Sequence, residues 1–128
     1  DANSAGGHGY TEEAGHASMK HLLRSAPAVT AVFASSDVQA IGAWQALREA
    51  GRRVPDDCAL VGYDDLKVSR FLGLTSVAQE MQQVGMSATD RLLHRLHGTA
   101  KEAVSTVVQP QLQVRTSSLA AGREEEAA

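Results

Sequence analysis

Aromatic residues, cysteine and proline are all scarce in this chain, and neither sign of charge dominates it. A single cysteine, Cys58, excludes an internal disulfide and fits a reducing compartment. Lys and Arg number 12 against 15 Asp and Glu, a formal net charge of -3, so this segment has no basic footprint for a nucleic-acid backbone. The longest uncharged apolar stretch, Ala26 to Ser36, falls short of the ~20 residues a membrane helix needs. The first residues do not pair a basic start with an apolar core, as a signal peptide would. Nor is there a Gly-x-Ser-x-Gly elbow, a Walker loop or a His-Glu-x-x-His pattern. Catalysis is therefore poorly supported.

What is present suits one modest domain. The chain has 128 residues, 43% of them hydrophobic, enough for a single core but not comfortably for two. A mean hydropathy of -0.21 with mixed charges excludes a disordered chain. The sequence begins at Asp1 rather than Met, and the expectation is a piece of something longer.

Asp1 to Tyr10 is Gly- and Ala-rich and reads as a loop. Thr11 is a natural N-cap, with Glu12 and Glu13 placing negative charge in the first helical turn and Met19, Leu22 and Leu23 forming the apolar face before Pro27. Ala28 to Ala34 is a continuous, partly β-branched run, predicted as a strand buried on both faces. Ser36 and Gln39 have capping-box spacing, and the helix they open should bury Ala40, Ile41, Trp44 and Leu47 before Gly51 ends it. After the turn at Pro55-Asp56-Asp57, Cys58 to Tyr63 forms a second apolar strand, completing a βαβ unit. A short helix over Leu66 to Phe71 and a strand over Leu74 to Val77 follow. Met81, Val84, Ala88, Leu92 and Leu96 then space a long amphipathic helix up to Gly98. Thr106-Val107-Val108 and Leu112-Gln113-Val114 are strand-like, split by Pro110, and residues 119–128 form an acidic tail.

Several residue groups invite a chemical reading and support it weakly. Gly6-Gly7-His8-Gly9 has no strand before it, so a phosphate loop is disfavoured. His94 and His97 could share a metal, but arginines flank them and no carboxylate or thiol is close, so a polar helix face is preferred. Arg48, Arg52 and Arg53 sit near a helix C-terminus, where cations offset the dipole. No metal or cofactor is implied. The informative places are the carboxyl ends of the two strands, Ser35-Ser36-Asp37 and Gly62-Tyr63-Asp64-Asp65, where open α/β sheets bind ligands. A carboxylate there can accept hydrogen bonds from the hydroxyls of a sugar or a ribose. Capping of the next helix is the other use for Ser36 and for Asp64 or Asp65.

The motifs in order are Ala34-Ser35-Ser36-Asp37 with Ala40-Ile41-Gly42, Ala46 to Gly51, Val54-Pro55-Asp56-Asp57, Val61-Gly62-Tyr63-Asp64-Asp65, Leu74-Thr75-Ser76-Val77 with Gln79, and Val114-Arg115-Thr116-Ser117. From about Gly9 to Ser118 this series resembles the effector-binding domain of LacI/GalR-type bacterial transcriptional repressors. The resemblance implies an α/β, periplasmic-binding-protein-like (Rossmann-like) subdomain with a parallel sheet. It would be incomplete here, with a crossover helix leading to a subdomain outside the chain. Residues 1–118 would then be the C-terminal part of an effector-binding and dimerising domain. Its DNA-reading helix-turn-helix would also lie outside the chain. By the same resemblance Tyr10 would stack on a sugar or nucleoside-like effector, Ser36 would stand where the family carries Asn, and Asp64 would take effector hydroxyls. Gln79 and Met81 would lie at the crossover near the cleft. Ile41, Leu47 and Leu72 would belong to a homodimer face, with plain core packing as the other reading. The implied protein is a cytoplasmic regulator, not an enzyme and not membrane-bound, whose partners are a small effector and operator DNA. A secreted sugar-binding protein of a transporter is the alternative, because fold alone does not separate the two. The apolar face of the helix from Met81 should be exposed or paired with another chain.

Overall fold

The computed structural model of the chain describes residues 9–98 and 105–119, so the Gly6–Gly9 loop reading (apart from Gly9) and the tail from residue 120 lie outside the described residues. Two compact units form, Asp1–Ala78 with Leu112–Ala128, and Gln79–Gln111.

The first unit is built on the expected strand–helix alternation. Helix α1, Glu12–Ser25, starts where the Thr11 hydroxyl accepts from the Ala14 N–H at 3.2 Å. Strand β1, Ala31–Phe33, leads to α2, Asp37–Glu49, then β2, Ala59–Tyr63, α3, Lys67–Leu72, and β3, Thr75–Ala78. Strand β4, Gln111–Gln113, and a 3-10 turn, Thr116–Ser118, close the unit. The sheet order is β1-β2-β3-β4; β1 and β2 are parallel, as are β2 and β3.

Small residues set how close the helices lie. A Cβ on Gly42 would stand 1.9 Å from the Glu12 carbonyl oxygen, and one on Gly15 would stand 2.1 Å from that of Gln39. The backbones of α1 and α2 therefore touch. The seam is filled by short side chains, which corrects the expected burial of α2. Ala43 and Ala46 are buried with Ala40 and Leu47, whereas Ile41 and Trp44 are only half-buried. Met19, Cys58, Leu60 and Leu74 complete the core.

Two strand readings also need correction. The first strand is three residues long and alternates in exposure instead of being buried on both faces. It lies at the sheet edge, with Val32 on the core and Phe33 62% exposed on the other face. The capping box at α2 is only half made. Ser36 accepts from the Gln39 N–H at 3.2 Å, but the Gln39 side chain goes elsewhere.

The arginines after α2 do more than offset a dipole. Arg52 donates to the carbonyls of Pro27, Val29 and Asp57, tying together the segments that lead into β1 and β2. Arg53 grips the Asp57 carboxylate through Nε and Nη2 at 3.0 and 3.1 Å.

In the second unit, α4 runs Met81–Leu96 with the expected spacing and no buried residue. Met81, Val84, Met86, Leu92, Leu93 and Leu96 are all exposed. The expected strand over Thr106–Val108 is absent: residues 105–110 carry no strand, Val107 is exposed and Pro110 has no N–H to give a ladder. A carboxylate does stand beside His94, contrary to expectation, since Asp90 Oδ1 is 3.5 Å from its Nδ1. Among the described residues, no three His, Cys, Asp or Glu side chains gather to hold a metal ion.

Candidate functional site

The carboxyl ends of β1 and β2 are joined through one buried carboxylate. Asp37, at the first position of α2 and fully buried, accepts from the Leu66 N–H at 2.7 Å and from the hydroxyls of Ser69 and Ser76 at 2.6 Å each. Gly62 leaves room for it, because a Cβ there would lie 2.2 Å from Asp37 Oδ1. One side chain thus fixes the start of α2, the loop after β2 and the middle of β3. Sequence spacing did not mark it, since its partners stand 29, 32 and 39 residues away.

The loop that Asp37 holds is Asp64-Asp65, and both residues have left-handed backbone, φ 105° and 49°. For non-glycine residues such conformations cost about 1–3 kcal/mol each and persist only where surrounding bonds over-determine them. Those bonds are present. The Asp64 N–H donates to the Val77 carbonyl at 2.9 Å and the Asp65 N–H to Ser76 Oγ at 3.0 Å. The Asp65 carboxylate, 6% exposed, takes Arg115 Nη2 at 2.6 Å and Arg70 Nη2 at 2.9 Å. Arg115 also donates to the Leu74 carbonyl at 2.7 Å. Asp65 is therefore structural, and Asp64, exposed beside it, is the residue the strained loop presents.

The two readings of these positions now separate. Ser36 is the N-cap of α2 and 5% exposed, so its hydroxyl is already engaged. Neither Asp64 nor Asp65 caps α3, which has no side-chain cap. Tyr10 is 75% exposed in the bend before α1. The Gly9 carbonyl next to it accepts from Gln39 Nε2 at 2.8 Å, so its segment is bonded to the start of α2. The segments bearing Tyr10, Ser36 and Asp64 are thus bonded to one another in the first unit. Gln79, half-buried, and Met81, 63% exposed, belong to the second unit. An aromatic pair that the sequence reading did not single out, Phe33 and Tyr63, packs edge to face with ring centroids 6.4 Å apart at the same strand ends.

Of the three residues read as a dimer face, Leu47 is fully buried in the core and offers no surface. Core packing, the other reading of this position, holds for Leu47, in line with the helical spacing that placed it on the buried face of α2. Ile41 and Leu72 instead line a depression of about 320 Å³ with Glu12, Trp44, Gln45 and Arg48.

Parallel strands ending in a strained acidic loop, with helices opening beside it, have the arrangement at whose carboxyl ends open α/β sheets bind ligands. Residues 2–118 match the periplasmic binding protein-like domain, and the chain belongs to that family. It is 42% identical over 110 residues to the HTH-type transcriptional regulator CelR of Thermobifida fusca, covering 84% of this chain and 32% of that protein. The structure of the CelR–cellobiose complex superposes with a TM-score of 0.80 over 84% of this chain and 34% of that one. The ribose operon repressor of Haemophilus influenzae is 34% identical over 107 residues, covering 82% of this chain and 32% of that repressor. A LacI family regulator from Arthrobacter sp. FB24, solved with lactose, is 30% identical with a TM-score of 0.78, over 86% of this chain and 42% of that one. These relatives are transcriptional regulators. The chain spans about a third of the length of the curated relatives it matches.

Proposed function

We propose that the chain is the effector-sensing and dimerising part, over residues 1–118, of a cytoplasmic LacI-type transcriptional regulator with no enzymatic activity. The effector is a sugar or a similar polyhydroxy metabolite. Operator DNA is read by a helix-turn-helix elsewhere in the whole protein, and the two sites are coupled by a reciprocal free energy. The observation that carries this reading is the Asp64 loop, a strained backbone that holds an exposed carboxylate at the sheet's carboxyl end. A carboxylate accepting two hydroxyls suits a sugar. In this reading Tyr10 supplies a stacking ring. Ser36 contributes through its cap rather than by direct contact. A transporter's solute-binding protein would share the fold; the regulators named among its relatives favour regulation.

Calorimetric titration with cellobiose, lactose and ribose, each alone, tests the ligand class. Saturable binding of one of them is expected. No heat and no rise in melting temperature with any of the three would remove the sugar reading. The depression lined by Ile41, Trp44 and Leu72 is the proposed dimer face. Ile41→Asp should shift sedimentation toward monomer, and an unchanged distribution would count against it.

A further inference from the structure

We propose that Gln39 is a positioning residue that fixes, through the Gly9 carbonyl, the backbone carrying Tyr10. The proposal rests on the reading of Tyr10 as a ligand-stacking ring. In a capping box the side chain at this helical position would return to the N-cap N–H. Gln39 forgoes that bond and reaches 30 residues back along the sequence to Gly9. Its amide has only one workable orientation. The Gly9 carbonyl can only accept, so Nε2 faces it at 2.8 Å, and Oε1 is left to accept from the Ser35 hydroxyl. Gly9 itself has φ +115°, which suits glycine and would strain any other residue.

The other side of Tyr10 is fixed as well. Thr11 caps α1, and its carbonyl accepts from the Gly15 N–H at 3.1 Å. Gly15 in turn lies against the Gln39 carbonyl, so α1 meets α2 at the residue that holds Gly9. Tyr10 stands between two anchored neighbours, yet its side chain is 75% exposed. Ordering a backbone around a large apolar ring without burying the ring loses entropy and gains no desolvation. That cost is offset when the ring covers a ligand, because its placement has already been fixed.

Two substitutions separate positioning from folding. Gln39→Glu keeps the acceptor for Ser35 and places an acid in the first turn of α2, where the helix dipole favours it, but it has no hydrogen to give Gly9. Gln39→Ala removes both bonds. Gln39→Glu should melt no lower than the parent chain. In both variants the backbone NMR order parameters of Gly9 and Tyr10 should fall from about 0.85 to below about 0.6. Cellobiose affinity, measured in the same samples, should weaken roughly two- to tenfold. Unchanged order parameters in either variant overturn the proposal, and a fall confined to Gln39→Ala would assign the tie to Ser35 alone. Loosened residues with unchanged cellobiose affinity overturn the ligand role of the tie. If the parent chain binds no cellobiose, the assignment of that sugar fails, while the order parameters still decide whether Gln39 holds Tyr10 in place.

Discussion

Gly62 leaves the space that the Asp37 carboxylate fills: a Cβ at Gly62 would stand 2.2 Å from Oδ1. Two motifs separated by a whole helix are therefore one device, a glycine in β2 and an acid at the start of α2. Gly62→Ala should cost about 1–3 kcal/mol in urea denaturation, the scale of overpacking a filled interior. Asp37→Ala should cost at least about 3 kcal/mol, because it strands the buried hydroxyls of Ser69 and Ser76 and the part-buried N–H of Leu66. The double variant should fall well short of the sum, since most of the first cost is relieved once the carboxylate is gone, leaving only the closer contacts with Leu74 at 3.2 Å and Ala40 at 3.3 Å. Simple additivity would show that the two residues are independent.

The seam between α1 and α2 makes a second prediction. Gly42→Ala drives a methyl group onto the Glu12 backbone, which cannot rotate away as a flexible side chain could. A loss of about 1–3 kcal/mol is expected by chemical denaturation, against the slight gain that Ala for Gly brings in an open helix. A stabilised Gly42→Ala variant would mean that the helices lie farther apart.

Ligand binding should depend on Asp64 and Tyr10 in different ways. Asp64→Ala should remove detectable sugar binding and, in the whole regulator, the response to the effector, while operator affinity is retained. Tyr10→Ala should weaken binding by about 1–3 kcal/mol, the scale of a lost stacked ring with its buried area. Calorimetry on each variant with the sugar that binds the parent chain checks both. Unchanged binding in Asp64→Ala would falsify the role given to the strained loop.

Acid stability should carry the mark of Asp57. The Arg53 side chain, and then its backbone N–H, hold the Asp57 carboxyl near 2, well below its ordinary 3.8. The folded chain thus favours the charged form. Its contribution is complete above the ordinary value and is lost as pH falls through about 2. Asp57→Asn should flatten this part of the acid limb in thermal melts, and by a small amount, because the pair is exposed. An identical acid limb in the variant would remove Asp57 from the account.

The sequence revealed local features well and distant ones poorly. Thr11, Ser36 and Gly51 were legible as helix ends because their bonds are made within a few residues. The strand–helix–strand order was legible because hydrophobic period is a local property. Ile41 and Trp44 misled because size and apolarity predict burial only when helices sit at ordinary spacing. Gly15 and Gly42 let α1 and α2 touch, and the alanines took the interior. At the candidate site, Asp64 stood out by its place after β2. Asp37, named only as part of a strand end, and Gln39, read as the capping-box partner of Ser36, were not legible in their actual roles, since the partners that define those roles lie 29 to 39 residues away.

The closing turn has a consequence for how the chain is made. The Ser117 hydroxyl donates to the Leu60 carbonyl and accepts from the Thr75 N–H, bridging separations of 57 and 42 residues. Arg115 adds its hold on Asp65 and Leu74. The chain leaves the first unit at Ala78 and returns only at Leu112. On the ribosome, which adds roughly 5–20 residues per second, β1 to β3 emerge well before the segment that fastens them. For those seconds the outer edge of β3 is unlatched and the left-handed loop lacks its guanidinium. Protection from edge-to-edge association of nascent chains therefore falls to whatever meets this strand during synthesis, until β4 and Ser117 arrive to cover it.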